Sequence, residues 1–89
     1  MKRNELIEKQ FKQRYNRDIE AYRKIYTEDD EVKQADVKII HNGNEYMLIE
    51  YLKDGLTEQA LFKHKEKTWK YKTHLEAEVH CADMIGKEK

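Results

Sequence analysis

The chain has 89 residues, of which 40% are charged and 38% hydrophobic, and 18 basic residues balance 18 acidic ones. A chain of this length is expected to form one domain, 1–89, that buries only about 60 to 65% of its unfolded surface, so a deep catalytic pocket would be hard to enclose. The composition is too polar for a membrane span and too rich in spaced apolar residues for disorder, and zero net charge supplies no global field toward nucleic acid or lipid.

From Glu5 to Tyr26 there is no Gly or Pro, and Ile7, Phe11, Tyr15, Ile19, Tyr22 and Tyr26 recur every three or four residues. With Ile25 they make an apolar stripe that predicts a long amphipathic helix over 5–26, capped by Asn4 and supported by the i,i+4 pairs Glu5-Lys9, Glu8-Lys12 and Glu20-Lys24. An acidic connector follows over 27–36. Its Glu28-Asp29-Asp30-Glu31 run lacks the alternating ligands and central glycine of a calcium loop, so it reads as a solvated turn or part of a docking surface.

Three glycines punctuate the rest. Asn42-Gly43, between Val37–Ile40 and Tyr46–Leu52, is a strong hairpin signal, and Asp54-Gly55 marks a second reversal into a strand over about 58–64. Residues 68–72 form a fourth strand or lead into the last helix, so the antiparallel sheet spans about 37–72 with three to four strands. Thr73 and Glu76 make a capping box for a helix over about 74–85. Its expected buried stripe is Leu75, Val79 and Ala82, widened by Cys81 and Ile85, and Gly86 stops it.

The predicted fold class is therefore α+β, in the order α-β-β-β-α, with both helices packed on one face of the sheet as the simplest two-layer arrangement. Strand alternation sends Met47, Ile49 and Tyr51 to one side and Tyr46, Leu48 and Leu52 to the other. Both sets are mostly apolar, so either the helices cover both sides or one side meets another molecule, including a second copy of the chain. The expected partner-binding residues are Tyr46, Leu48, Leu52 and Leu61 on the second sheet face, together with the acidic run Glu28, Asp29, Asp30 and Glu31.

Candidate chemistry is sparse. There is no serine and no glycine-rich phosphate loop, and no carboxylate pair is marked as buried, so neither a catalytic site nor a cofactor is expected. His74, His80 and Cys81 share the last helix, but His74 and His80 sit about 120° apart around its axis and His80 and Cys81 about 100°. No metal site is expected from them, even with His64 nearby. The one locally basic stretch carries Lys63, Lys65, Lys67, Lys70 and Lys72 beside Trp69 and Tyr71, which supplies an alternative reading as a nucleic-acid-binding ribbon.

The helix–sheet–helix order resembles double-stranded-RNA-binding domains, and Tyr71-Lys72-Thr73-His74-Leu75-Glu76-Ala77 resembles the strand-to-helix junction of AP2-type and integrase-arm DNA-binding modules. The chain departs from both: its last helix opens with His74 and then carries Glu76, Glu78 and Asp83, which repel phosphates, and no arginine follows Arg23. In size and charge-rich makeup it resembles phage-encoded counter-defence proteins such as anti-CRISPR inhibitors, a likeness of style with no motif behind it. The single cysteine and the charged Lys2-Arg3 start, with no apolar run after it, lead to the expectation of a reducing, cytoplasmic compartment, and the Lys- and Tyr-rich, proline-free makeup to a bacterial host. The resulting expectation is a non-enzymatic regulator or inhibitor that occludes a surface of a larger protein, for instance in a nucleic-acid-handling complex.

Overall fold

The computed structural model describes residues 2–88, so the end residues of the expected 1–89 domain lie outside the described residues. A two-residue strand β1 (Lys2–Arg3) leads into helix α1 (Glu5–Tyr15). The Asn4 side chain accepts the Ile7 N–H at 3.0 Å, filling one of the orphan donors of the first turn. The helix stops at Tyr15 because Asn16 takes the left-handed conformation, with φ 56° and ψ 45°. Its N–H then bonds back to the Lys12 carbonyl.

The helix expected to reach Tyr26 is thus eleven residues long, and Glu20–Glu28 form strand β2. Ile19 packs against the core and Ala21 is sealed in it, whereas Tyr22 lies only half-buried on the other side. That alternation has period two, so the stripe read over 5–26 is a helical stripe ending at Tyr15 followed by a strand. The acidic connector expected over 27–36 is also absent. Glu28 ends β2, Asp29 and Asp30 form the turn, and β3 runs over Glu31–His41.

β4 (Asn44–Lys53), β5 (Leu56–His64) and β6 (Lys67–Tyr71) complete an antiparallel meander in the order β1-β2-β3-β4-β5-β6. The sheet therefore has six strands where three to four were expected, and 68–72 falls largely within β6. Positive φ at both central residues defines the first three hairpin turns: Asp29-Asp30 at 52° and 62°, Asn42-Gly43 at 51° and 79°, and Asp54-Gly55 at 53° and 77°. This type I′ geometry matches the twist of the flanking strands.

Two of these hairpins carry a bulge. In β2–β3, Tyr26 pairs with Gln34 but Thr27 pairs with Val32, leaving Lys33 over; in β4–β5, Tyr51 pairs with Gln59 but Leu52 with Thr57, leaving Glu58 over. One extra residue flips every later side chain to the other face. As a result Leu48 opposes Phe62, and Leu61 opposes Ile49.

Helix α2 (His74–Gly86) starts at Thr73, whose hydroxyl oxygen accepts the Glu76 N–H at 3.2 Å and whose O–H donates to the Glu76 carboxylate at 2.9 Å. Its buried stripe is Ala77, Glu78, Cys81, Ala82 and Ile85. Leu75 and Val79, expected in that stripe, are 55% and 48% exposed on the outer flank. Burial of Glu78 shifts the stripe by one position, because its carboxylate finds partners on α1: Tyr15 donates at 2.7 Å and Arg14 at 3.1 Å. Gly86 is the last helical residue, and a Cβ there would meet the Arg17 guanidinium at 2.3 Å, so the glycine admits that side chain against the helix end.

Both helices lie on one side of the sheet. Phe11 from α1 and Cys81, Ala82 and Ile85 from α2 join Val37, Ile39, Tyr46, Leu48, Ala60 and Phe62 in one core cluster. Trp69 and Tyr71 pack at its margin, where His80 meets Phe62, Trp69 and Tyr71 edge-on at 4.7 to 5.8 Å between ring centres. The molecule is 43 Å long and 24 Å wide. Beyond the end of β6 at Tyr71, the β2–β3 and β4–β5 hairpins run on to their tips.

Candidate functional site

Among the described residues, no element lies on the side of the sheet away from the helices. Register places its residues in three rows across the strands. Tyr22, Lys38, Met47, Lys63 and Thr68 form one row, Lys24, Asp36, Ile49, Leu61 and Lys70 the next, and Tyr26, Gln34, Tyr51 and Gln59 the third. The middle of this face is an apolar band of Met47, Ile49, Tyr51 and Leu61, all half-buried by their neighbours on adjacent strands.

Lysines frame the band. Lys38 is paired with Glu45 at 3.3 Å, and Lys24 extends over the Tyr26 ring at 5.0 Å from its centre. Lys63 and Lys70 are exposed and flank Leu61 on the β5–β6 side. Asp36, at 9% exposure, accepts the Gln34 amide at 2.8 Å, so the one carboxylate in the centre of the face is already hydrogen-bonded. A half-buried band ringed by extended cationic side chains has an apolar centre and a polar rim.

Of the residues singled out from the sequence, Leu61 lies in this band. Tyr46 and Leu48 do not: each is 2% exposed, on the helix side. Leu52 shares their side and is half-buried toward the far end of the sheet. A plain two-residue turn at Asp54-Gly55 would set Leu61 opposite Leu48, and the bulge at Glu58 undoes that alignment. Met47, Ile49 and Tyr51 hold the open side instead. The signal that could have found them is the pairing of Phe62, the bulkier neighbour, with the core.

Glu28, Asp29, Asp30 and Glu31 form the exposed tip of the β2–β3 hairpin, where Lys33 pairs with Glu31 at 2.9 Å. They stand apart from the band, at the end of the long axis.

The basic ribbon is split. Lys63 and Lys70 face the open side, Trp69 and Tyr71 turn to the helix side, Lys65 sits in the β5–β6 turn at φ 56°, Lys67 pairs with His64, and Lys72 lies past β6. The Trp69 ring stacks on Phe62 at 5.2 Å. These rings and lysines therefore do not make one stacking surface.

The histidines and the cysteine are equally dispersed. The Tyr71 hydroxyl bonds to His80 Nδ1 at 2.7 Å, His64 stacks on Tyr46 at 4.2 Å, and Cys81 is sealed in the core, where burial pushes its thiol pKa up and the nearby Glu78 and Glu88 carboxylates add to the effect. A thiol held protonated in this way is a poor nucleophile. Among the described residues no group of three His, Cys, Asp or Glu side chains is placed to hold a metal, and no helix is long and apolar enough to cross a membrane.

No protein-family model matches the chain, and no curated protein or solved structure matches it significantly.

Proposed function

We propose that the protein is a small, non-enzymatic interaction protein of the cytoplasm that regulates or inhibits a larger protein by laying the open face of its sheet over that protein's surface. The observation that carries this reading is the band of Met47, Ile49, Tyr51 and Leu61, left without a helix and framed by Lys24, Lys63 and Lys70. Such a surface suits an apolar patch edged with carboxylates. The acidic tip at Glu28 to Glu31 would reach a basic surface beside that patch, such as the groove of a nucleic-acid-handling complex. Occlusion of this kind is how a counter-defence protein of the anti-CRISPR type would act.

Binding of single-stranded nucleic acid is the second reading, favoured by Tyr22, Tyr26 and Tyr51 lying among lysines on the same face. The aliphatic centre of the band and the carboxylates of Glu20, Asp36 and Glu45 on that side argue for protein instead.

The test pairs the wild type with a Met47→Glu and Leu61→Glu double variant. Each new carboxylate would lie beside lysines of its own or a neighbouring strand, so the fold is expected to survive, as circular dichroism would verify. Candidates from affinity purification in the host are purified and titrated individually. The double variant should bind the true partner at least about 30-fold more weakly, as loss of a hot spot requires, whereas Leu6→Glu on the exposed flank of α1 should leave binding unchanged. Full-strength binding by the folded double variant overturns the interface. Oligonucleotide binding with a log–log salt slope of about −2 to −3, lost in Lys63→Glu with Lys70→Glu, would transfer the site to nucleic acid.

A further inference from the structure

β6 is the terminal strand of the sheet, and among the described residues no other strand lies on the outward edge of Lys67–Tyr71. At the opposite edge β1 pairs with Arg23 and Tyr22 before the chain turns into α1, and the rest of β2, Lys24–Glu28, is open there too but leads into the acidic tip, which does not suit an acidic strand. Helix α2 packs over β4, β5 and β6, and its outer flank beside the β6 edge shows Leu75 and Val79, one helical turn apart and about half exposed. Together with Tyr71 and His80 they line a shallow, mostly apolar depression between the last residue of β6 and the helix. The two carboxylates on its rim are already engaged, Glu76 with the Thr73 hydroxyl and Asp83 with Lys87 at 3.0 Å.

An unpaired strand edge under an exposed apolar helix flank is the geometry of strand addition. An extended segment bonds its backbone to the edge, and every second side chain turns up toward the helix. The charge beside this edge is mainly basic: Lys67, Lys70 and Lys72 on or just past the strand and Lys65 in its turn, against Glu66 in the same turn and the rim carboxylates Glu76 and Asp83, the latter paired with Lys87. Lysines on an edge discourage pairing with another copy of the same basic strand and favour an acidic one.

We infer that the β6 edge and the Leu75–Val79 flank of α2 form a docking site for an extended acidic segment of a partner protein, with apolar side chains at alternate positions. The segment becomes a seventh strand, its apolar residues meeting Leu75, Val79 and Tyr71 and its carboxylates meeting Lys70 and its neighbours. This site shares Lys70 with the margin of the open face but is centred on the strand edge and α2, so substitution at Val79 tests it without touching the Met47–Leu61 band.

The single tryptophan, Trp69, is on β6 itself, so its emission reports binding directly. The probes are three sets of nonapeptides in which Val or Ile alternates with Glu, with Lys or with Ser, plus a nine-residue poly-Glu control. The acidic alternating set should bind at least ten-fold more tightly than the other sets and the control. Amide shifts should be confined to Lys67–Tyr71 and the first half of α2. Val79→Glu, at an exposed position, should weaken binding at least ten-fold, and N-methylation of the alternate peptide amides that face β6 should abolish it. Equal binding of poly-Glu means attraction by charge alone and overturns the proposal. So does absence of binding by all peptides at millimolar concentration, or self-association of the free protein that Val79→Glu abolishes, which would assign the site to a second copy.

Discussion

Leu61 faces Ile49 across the β4–β5 ladder, and it does so because Glu58 is left unpaired between Thr57 and Gln59. Phe62, one residue on, is thereby driven into the core at 0% exposure between Leu48 and Trp69. Neighbouring residues on one strand thus have opposite duties. Phe62→Ala should cost about 3 to 5 kcal/mol in urea unfolding, and Leu61→Ala about 1 kcal/mol or less, because only the first leaves a cavity among packed side chains. Comparable losses from the two variants would contradict the register on which the open face depends.

The same bulge explains how the candidate interface was only half legible. The alternation of β4 is plain in the sequence, and so is the existence of two apolar sides. Which side the helices take depends on the β5 register, and an extra residue at Glu58 inverts that without any local mark such as glycine. The N-terminal third misled for a related reason. Ile7, Phe11 and Tyr15 continue into Ile19 and Tyr22 at helical spacing, and only Asn16, a residue that tolerates the left-handed conformation, marks the break. The β2–β3 turn has no glycine either. By contrast Asn42-Gly43, Asp54-Gly55 and the Thr73–Glu76 box state their local geometry outright, and turns and cap lie where their chemistry puts them.

Asp29 and Asp30 both have positive φ, at 52° and 62°, and Glu28 and Glu31 flank them. Replacing Asp30 with glycine removes the backbone penalty at the second turn position and one of four crowded carboxylates. Asp30→Gly should stabilise the fold by about 0.5 to 1 kcal/mol, with the larger gain at low salt. Thermal unfolding at two ionic strengths checks this, and a loss of stability would show that the turn is not held as described.

Alkali should unfold the protein through groups that the fold keeps protonated. Burial pushes up the Cys81 thiol, and burial together with the Glu78 carboxylate raises the Tyr15 hydroxyl to about 12. A group with a raised pKa in the folded state stabilises fully below its unfolded value, and that contribution is lost as pH rises toward the folded one. Stability should therefore decline from about pH 9 upward, by about 1.4 kcal/mol per pH unit for each group that ionises only when unfolded. Cys81→Ala lowers overall stability through its cavity but should flatten the slope just above pH 9. An unchanged slope would mean that the thiol ionises in place.

On the acid side the relevant pair is His41 and Glu88. The Glu88 carboxylate accepts from the His41 ring and from the Asn44 amide, joining the end of α2 to the β3–β4 hairpin. Burial alone would raise its pKa, but hydrogen bonds from Tyr46, His41 and Asn44 outweigh that and hold it below the usual carboxylate range. Glu8 behaves alike: burial opposes its charge, and bonds from Arg3 at 2.8 Å and the Ala21 N–H at 3.0 Å prevail. Both contributions are present above the ordinary carboxylate value and disappear as pH falls through the lowered one, so the loss should begin below about pH 4.5. Glu88→Gln keeps an acceptor but removes the titrating charge. It should cost about 1 kcal/mol at pH 7 and flatten the acid limb, and Glu8→Gln should do the same independently, since Glu8 bridges β1, α1 and β2 rather than the β3–β4 hairpin. The double variant then tests whether the two anchors add, as separate contacts at different parts of the helix layer should. A wild-type acid limb persisting in the double variant would place the acid-sensitive contacts elsewhere in the fold.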